Sequence, residues 1–164
     1  VARRVAASVP EARFVMVGDG ELRAGTERKI ASAGLSDRFH MMGWRPEIPD
    51  LLAAFDVFLL TSRWEGLPKV VPQALISGTA VVATGVDGTR EVVDEGRDGF
   101  LAEPGDVEMM AEKVVALLSG GRLPGVAGKR ERLLEEFDQD GMVRAQERLY
   151  AELLGRKGLP GWAR

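Results

Sequence analysis

Residues 61–78 read T-S-R-W-E-G-L-P-K-V-V-P-Q-A-L-I-S-G. Apolar runs flank this stretch, V-F-L-L at 57–60 before it and A-V-V-A at 80–83 after it. The order is strand, loop, helix, strand, which is the repeating unit of a parallel sheet. Residues 57–60 are apolar at every position, as expected of a central parallel strand covered on both faces. The loop carries one carboxylate, Glu65, followed by Gly66 and Pro68. The spacing predicts a helix over 68–76, with a proline at its start and Gly78 as its stop. Pro72 fits the first turn of that helix, or moves its start to about residue 71. A loop at the carboxyl end of such a strand is where open α/β sheets bind ligands. Amides opening the helix would face the same crevice and suit an anion such as phosphate.

The same alternation extends in both directions. Upstream, residues 1–8 have helical spacing and Pro10 closes them. Residues 14–17 are a short apolar strand that ends in the turn Gly18-Asp19-Gly20. A polar helix over 21–33 stops at Gly34, a second strand covers 39–42 and ends at Gly43, and a short helix covers 48–54. Downstream of residues 80–83, a glycine-containing loop covers 85–90, a helical turn 91–95 and a fifth strand 100–101. Asp106 is placed to cap a helix reaching residue 118. Residues 120–128 hold several glycines and one proline and read as a connector. Helices over 129–137 and 141–154 follow. The expected architecture is α/β: a Rossmann-like parallel sheet with helices on both faces, ending in two C-terminal helices. One domain spans 1–154 and a patternless tail spans 155–164, where fraying is expected despite Trp162.

Composition narrows the function. The 164 residues are 45% hydrophobic and 29% charged, with a net charge of -3. That balance suits a globular domain with a real core and gives no electrostatic reason to expect nucleic acid. There is no cysteine and a single histidine, His40, so disulfides, thiolate metal sites and multi-histidine metal sites are excluded. No metal and no cofactor are expected. No apolar run reaches the roughly 20 residues needed to cross a bilayer. The chain starts without a methionine, inside an expected helix, and reads as a piece of something longer.

Within this frame Glu65 is the strongest candidate. Its carboxylate follows a strand and can accept hydrogen bonds from sugar hydroxyls, while Gly66 allows close backbone approach. Gln73, eight residues on, would return to the same crevice after two helical turns, and its amide can both donate to and accept from ribose hydroxyls. The run Asp87-Gly88-Thr89-Arg90-Glu91 follows the next strand and opens into the same crevice, either as part of the site or as a simple turn. Arg63 and Lys69 flank Glu65 and either counter a diphosphate or are ordinary surface bases. Trp44 either walls a base pocket or packs. His40 lies in an apolar strand and reads as structural, and Asp94 and Glu95 read as solvated turn residues. The turn at Gly18 lacks the full G-x-G-x-x-G pattern, since position 23 is Arg, which argues against a dinucleotide oxidoreductase. Neither a Ser-His-Asp set nor a close carboxylate pair is evident.

An ordered series of motifs resembles a known family. It comprises V-G-D-G at 17–20, F-H-M-M-G-W at 39–44, D-V-F-L-L-T-S at 56–62, E-G-L-P-K-V-V-P-Q-A-L-I-S-G-T-A-V-V-A-T-G-V-D-G-T-R-E-V-V at 65–93 and G-R-D-G-F-L-A-E-P-G-D at 96–106. The series is similar to the donor-binding C-terminal domain of the retaining GT-B glycosyltransferases of the group 1, glycogen-synthase-like type. The resemblance runs from about residue 2 to residue 154 and implies roles by position. Glu65 matches the first glutamate of the family's E-x7-E motif, which contacts donor-sugar hydroxyls. Gly66, Leu67 and Pro68 match the loop that approaches sugar and diphosphate through backbone amides. Gln73 matches the second glutamate, which holds the ribose. Gly43, Trp44 and Arg45 match the loop beside the nucleobase, and Gly18 and Gly20 the edge of the donor cleft.

The implied activity is transfer of a hexose from a UDP- or GDP-sugar to a glycan or lipid-linked acceptor. The configuration is retained, with neither metal nor enzyme nucleophile. The implied setting is cytoplasmic polysaccharide synthesis, peripheral at the inner face of the membrane through contacts made by an N-terminal domain. That domain, together with a first strand and its diphosphate-binding loop, precedes the region resembled here, so this chain alone is expected to bind donor and not to turn over. One departure stands out: Gln73 replaces a glutamate. Glutamine can still bond to ribose but supplies no charge, so a non-catalytic nucleotide-sugar sensor or scaffold is the competing reading.

Overall fold

The computed structural model describes residues 1–121 and 123–158. The elements run α1 (Ala2–Ser8), β1 (Phe14–Val17), α2 (Arg23–Ser32), β2 (Phe39–Gly43), α3 (Ile48–Ala53), β3 (Val57–Leu60) and α4 (Val70–Ile76). They continue as β4 (Ala80–Thr84), α5 (Thr89–Val92), β5 (Gly99–Ala102), α6 (Val107–Leu118), α7 (Val126–Glu136) and α8 (Gln139–Arg156). Every strand pairing is parallel, as the alternating pattern predicts. The fold is Rossmann-like α/β with helices at its C-terminal end.

The single sheet expected from sequence is present as two. β1 pairs with β2 from Phe14↔Phe39 to Met16↔Met41, and the register then slips so that Val17 faces Gly43. β3, β4 and β5 form the second sheet in that order. Among the described residues neither β1 nor β3 has a strand on its other side. Their outer backbone groups have no ladder to join, and Val15 and Met16 on β1 are 38% and 40% exposed.

Helices cover both faces of the three-stranded sheet, and the side-chain alternation of β4 shows how. Val81 and Ala83 join Leu52, Val71, Leu75, Val92 and Leu133, so α3, α4, α5 and α7 lie on that face. Val82 joins Val5, Val9, Ala102, Met110 and Val114, so α1 and α6 lie on the other. Phe58 and Leu60 lean to the first face, Val57 and Leu59 to the second, which explains why β3 is apolar throughout. Asp106 caps α6 as its position predicts, accepting from the Met109 amide at 2.9 Å.

Several boundaries differ from the sequence reading. α4 begins at Val70, so Pro72 sits in its first turn, where a missing N–H matters least. α5 covers Thr89–Val92, starting two residues before the turn expected over 91–95 and ending three residues short of its end, because Val93 is extended and the Glu95 carboxylate accepts from the Leu101 amide at 2.7 Å. α7 begins at Val126, inside the expected connector, because Gly125 bonds to the Arg97 carbonyl at 2.6 Å and Lys129 and Leu133 are buried. α8 extends to Arg156, while residues 159–164, including Trp162, lie outside the described residues.

Candidate functional site

Because the strands run parallel, the loops after β3 and β4 emerge at one edge of their sheet. Glu65 lies in the first of them and is half-buried. The Ser62 hydroxyl donates to Glu65 Oε1 at 2.7 Å, which fixes the carboxylate near the strand end. Among the described residues Glu65 makes no other side-chain hydrogen bond and no ion pair, so its second oxygen is available. Trp64 beside it is 78% exposed. Gly66, Leu67, Pro68 and Lys69 precede α4 as loop, and the buried Pro68 offers its carbonyl to the Val71 amide at 2.9 Å. Gln73 is exposed on the first turn of α4. The two-turn helical relation between Glu65 and Gln73 therefore does not hold, since the chain between residues 65 and 70 is not helical. Arg63 and Lys69 are exposed and form no ion pair among the described residues.

The loop after β4 is joined directly to this one. The Gly88 amide donates to the Gly66 carbonyl at 2.9 Å. A Cβ on Gly88 would stand 2.6 Å from that carbonyl oxygen and 2.9 Å from Leu67 Cδ1, so only glycine allows this approach. Asp87 takes a positive φ of 33° to turn the chain into α5. Arg90 folds back over Gly85 and pairs with Glu103 at 2.8 Å. Thr89 is fully buried, and among the described residues its hydroxyl has no hydrogen-bond partner. Gly88→Ala should push the Gly66–Leu67 segment out of place. We expect at least a tenfold loss of ligand affinity at this edge with the fold retained, read by titration and circular dichroism.

A second cluster sits at the ends of β1 and β2. Gly18 donates to the Gly43 carbonyl at 2.7 Å, and both glycines have positive φ, 122° and 69°. Arg23 supports this junction from α2, bonding Asp19 at 3.1 Å, Glu27 at 3.0 Å and the Met41 carbonyl at 3.3 Å. Glu27 first, and then Asp19, hold its guanidinium above the ordinary arginine value. Gly20 and Arg45 are exposed, and Trp44 is 76% exposed, so Trp44 does not pack into the core. A recess of about 390 Å³ lies beside it, lined by Met42, Arg45, Glu47, Asp50 and Leu51. His40 is exposed on β2 rather than packed in a core.

Several polar contacts were not read from the sequence. Asp94 and Glu95 are not simply solvated: Asp94 pairs with Lys129 at 3.2 Å and Glu95 holds the Leu101 amide. Lys129 is 5% exposed and Asp98 is 1% exposed, and they pair at 2.5 Å. The only available signal was a charged residue, Asp98, between Arg97 and Gly99 at a strand entrance. Among the described residues, no three histidine, aspartate or glutamate side chains are grouped to hold a metal ion. Nor is any described helix long and apolar enough to cross a membrane.

This architecture has solved counterparts. HepE from Anabaena, solved in complex with UDP, matches with a TM-score of 0.76 and 27% identity, over 93% of this chain and 43% of that one. It places the chain in the GT-B class of fold. Residues 1–120 match the family described as Glycosyl transferases group 1, and the chain belongs to that family. It is 36% identical over 148 residues to the 2-deoxystreptamine glucosyltransferase of Streptomyces kanamyceticus, covering 88% of this chain and 38% of the relative. It is 30% identical over 152 residues to the UDP-Gal:alpha-D-GlcNAc-diphosphoundecaprenol alpha-1,3-galactosyltransferase of Escherichia coli, covering 91% of this chain and 39% of that one. The chain thus spans about two fifths of the length of these relatives.

Proposed function

We propose that this chain is the donor-binding part of a retaining hexosyltransferase that uses a UDP- or GDP-sugar and a glycan or lipid-linked acceptor. The observation that carries the reading is the junction of the two βα loops. There a tethered carboxylate, Glu65, stands beside backbone held open by the Gly66–Gly88 contact. Glu65 accepts from donor-sugar hydroxyls, and Gly66, Leu67 and Pro68 present backbone to sugar and diphosphate. Exposed Gln73 reaches the ribose, and Gly43, Trp44 and Arg45 border the base, next to the recess that Arg45 lines, with Gly18 and Gly20 at the cleft edge. No metal is required, because Arg63 and Lys69 supply positive charge near the diphosphate. Two supports come from the relatives: one is named for UDP-Gal, and HepE was solved with UDP.

The remainder of the cleft belongs to polypeptide outside this region. A further strand between the unpaired edges of β1 and β3 would join the two sheets and bring its loop beside Glu65. The acceptor and any contact with the cytoplasmic membrane face are met by that remainder, and this chain alone does not turn over. The test is a titration of the chain, joined to the rest of its polypeptide, with UDP, UDP-glucose, UDP-galactose and GDP-mannose, followed by transfer assays. Binding of one nucleotide sugar with release of its nucleoside diphosphate is expected. Binding without any transfer would instead support the sensor reading that Gln73 suggests, and no binding at all would overturn both.

A further inference from the structure

We infer that Lys129 is a positioning residue for the Glu65 loop, acting through α7, which packs on the same face of the sheet as α4 and α5. The inference rests on the donor-site reading for its functional meaning, but its structural basis is independent of any ligand. α7 holds the carboxyl ends of both helices that follow the site loops. Lys129 Nζ donates to the Val92 carbonyl, the last residue of α5. Arg130 Nη1 donates to the Ile76 carbonyl, the last residue of α4, at 3.1 Å. Leu133, fully buried on the same helix, packs in the cluster that contains Val71 and Leu75 of α4 and Val92 of α5.

The ammonium is locked in place by charge. Asp98 Oδ2 lies 2.5 Å from Lys129 Nζ, and Asp98 Oδ1 accepts from the Asp94 amide at 2.9 Å. Asp98 Oδ2 meets no well-aligned hydrogen-bond donor among the described residues, so the buried ammonium is its compensation. The start of α7 is fixed as tightly, by the Gly125 amide on the Arg97 carbonyl at 2.6 Å. α5 is a single turn, with no length of its own to resist displacement. Its entry residue, Gly88, makes the hydrogen bond to Gly66 that sets the Glu65 loop. A clamp on Val92 therefore fixes Gly88, and through it the backbone next to Glu65. Arg130 performs the matching task on α4, at the other end of the same loop.

Amide hydrogen exchange tests this without ligand. In a Lys129→Met/Asp98→Asn variant the buried charges are removed together, and the carboxamide oxygen introduced at position 98 can still accept from the Asp94 amide. The Gly88 amide should then exchange at least tenfold faster than in the wild type, while the Val82 and Leu59 amides of the central ladder change less than twofold. Gly88 moving in step with those core amides, whether all are unchanged or all are faster, would overturn the inference. If the double variant does not fold, Lys129→Ala/Asp98→Asn removes the same bond to the Val92 carbonyl and gives the same comparison with the same two outcomes. Parallel UDP and GDP titrations of the wild type keep the two readings apart. Loss of Gly88 protection with neither nucleotide bound would leave the coupling standing and remove the donor assignment. UDP binding with an unresponsive Gly88 would do the reverse.

Discussion

Glu65→Ala, introduced into the transfer-competent polypeptide, should lower kcat on the order of a hundredfold while UDP affinity changes by less than about twofold. The asymmetry follows from where the carboxylate stands. Ser62 holds one oxygen at 2.7 Å, and the other has no protein partner among the described residues, so the group is oriented and still free to accept from a ligand hydroxyl. As the bond to the leaving diphosphate lengthens, positive charge grows on the donor sugar. A fixed carboxylate against the sugar then interacts more strongly than in the ground state. UDP carries no such sugar and would not register the loss. Glu65→Gln keeps the shape and one acceptor oxygen without the charge, so it should fall between wild type and alanine. The measurements are steady-state turnover and a UDP titration on the same preparations. Equal losses in both would place Glu65 on the nucleotide and contradict its assignment to the sugar.

The parts of this site legible in sequence are those that depend on local chemistry. Residues 57–60 announced a strand covered on two sides because all four are apolar, and the packing of Phe58 and Leu60 against one face and of Val57 and Leu59 against the other bears this out. Asp106 announced a helix start because its side chain needs only an amide three residues away. The order of strands and loops placed Glu65 and Gly88 at one edge. The parts that failed depend on partners distant in sequence. α7 starts among glycines because its buried face, not its propensity, stabilises the helix there. Asp94 looked solvated because its partner Lys129 lies 35 residues on. The division into two sheets could not be read from strand patterns, since pairing at an edge leaves no mark on the strand itself. The helical spacing offered for Gln73 fails because α4 begins only at Val70, so its assignment to the ribose rests on the motif resemblance alone.

Lys129→Met should cost the fold about 3–5 kcal/mol, because it leaves the Asp98 carboxylate buried without its counter-charge. Both partners are almost completely enclosed, with side-chain exposures of 3% and 1%, so solvent cannot take over the role of the missing ammonium. Asp94, the second carboxylate near Lys129, is 45% exposed and can rehydrate, so Asp98 bears most of the loss. The variant also strips the Val92 carbonyl of a donor. For a domain of this size a loss of that order lowers Tm by roughly 10 °C. Adding Asp98→Asn should restore most of it, since the neutral amide keeps an acceptor for the Asp94 N–H and no longer needs a buried cation. Asp98→Asn alone should be the milder single change, because Lys129 retains Asp94 at 3.2 Å. Urea denaturation of the four proteins closes a double-mutant cycle, and a coupling of more than about 2 kcal/mol is expected. Additive losses would mean that the ammonium and the carboxylate are each satisfied elsewhere. In that case burial of Leu133 alone, rather than the ion pair, would hold α7 against the sheet.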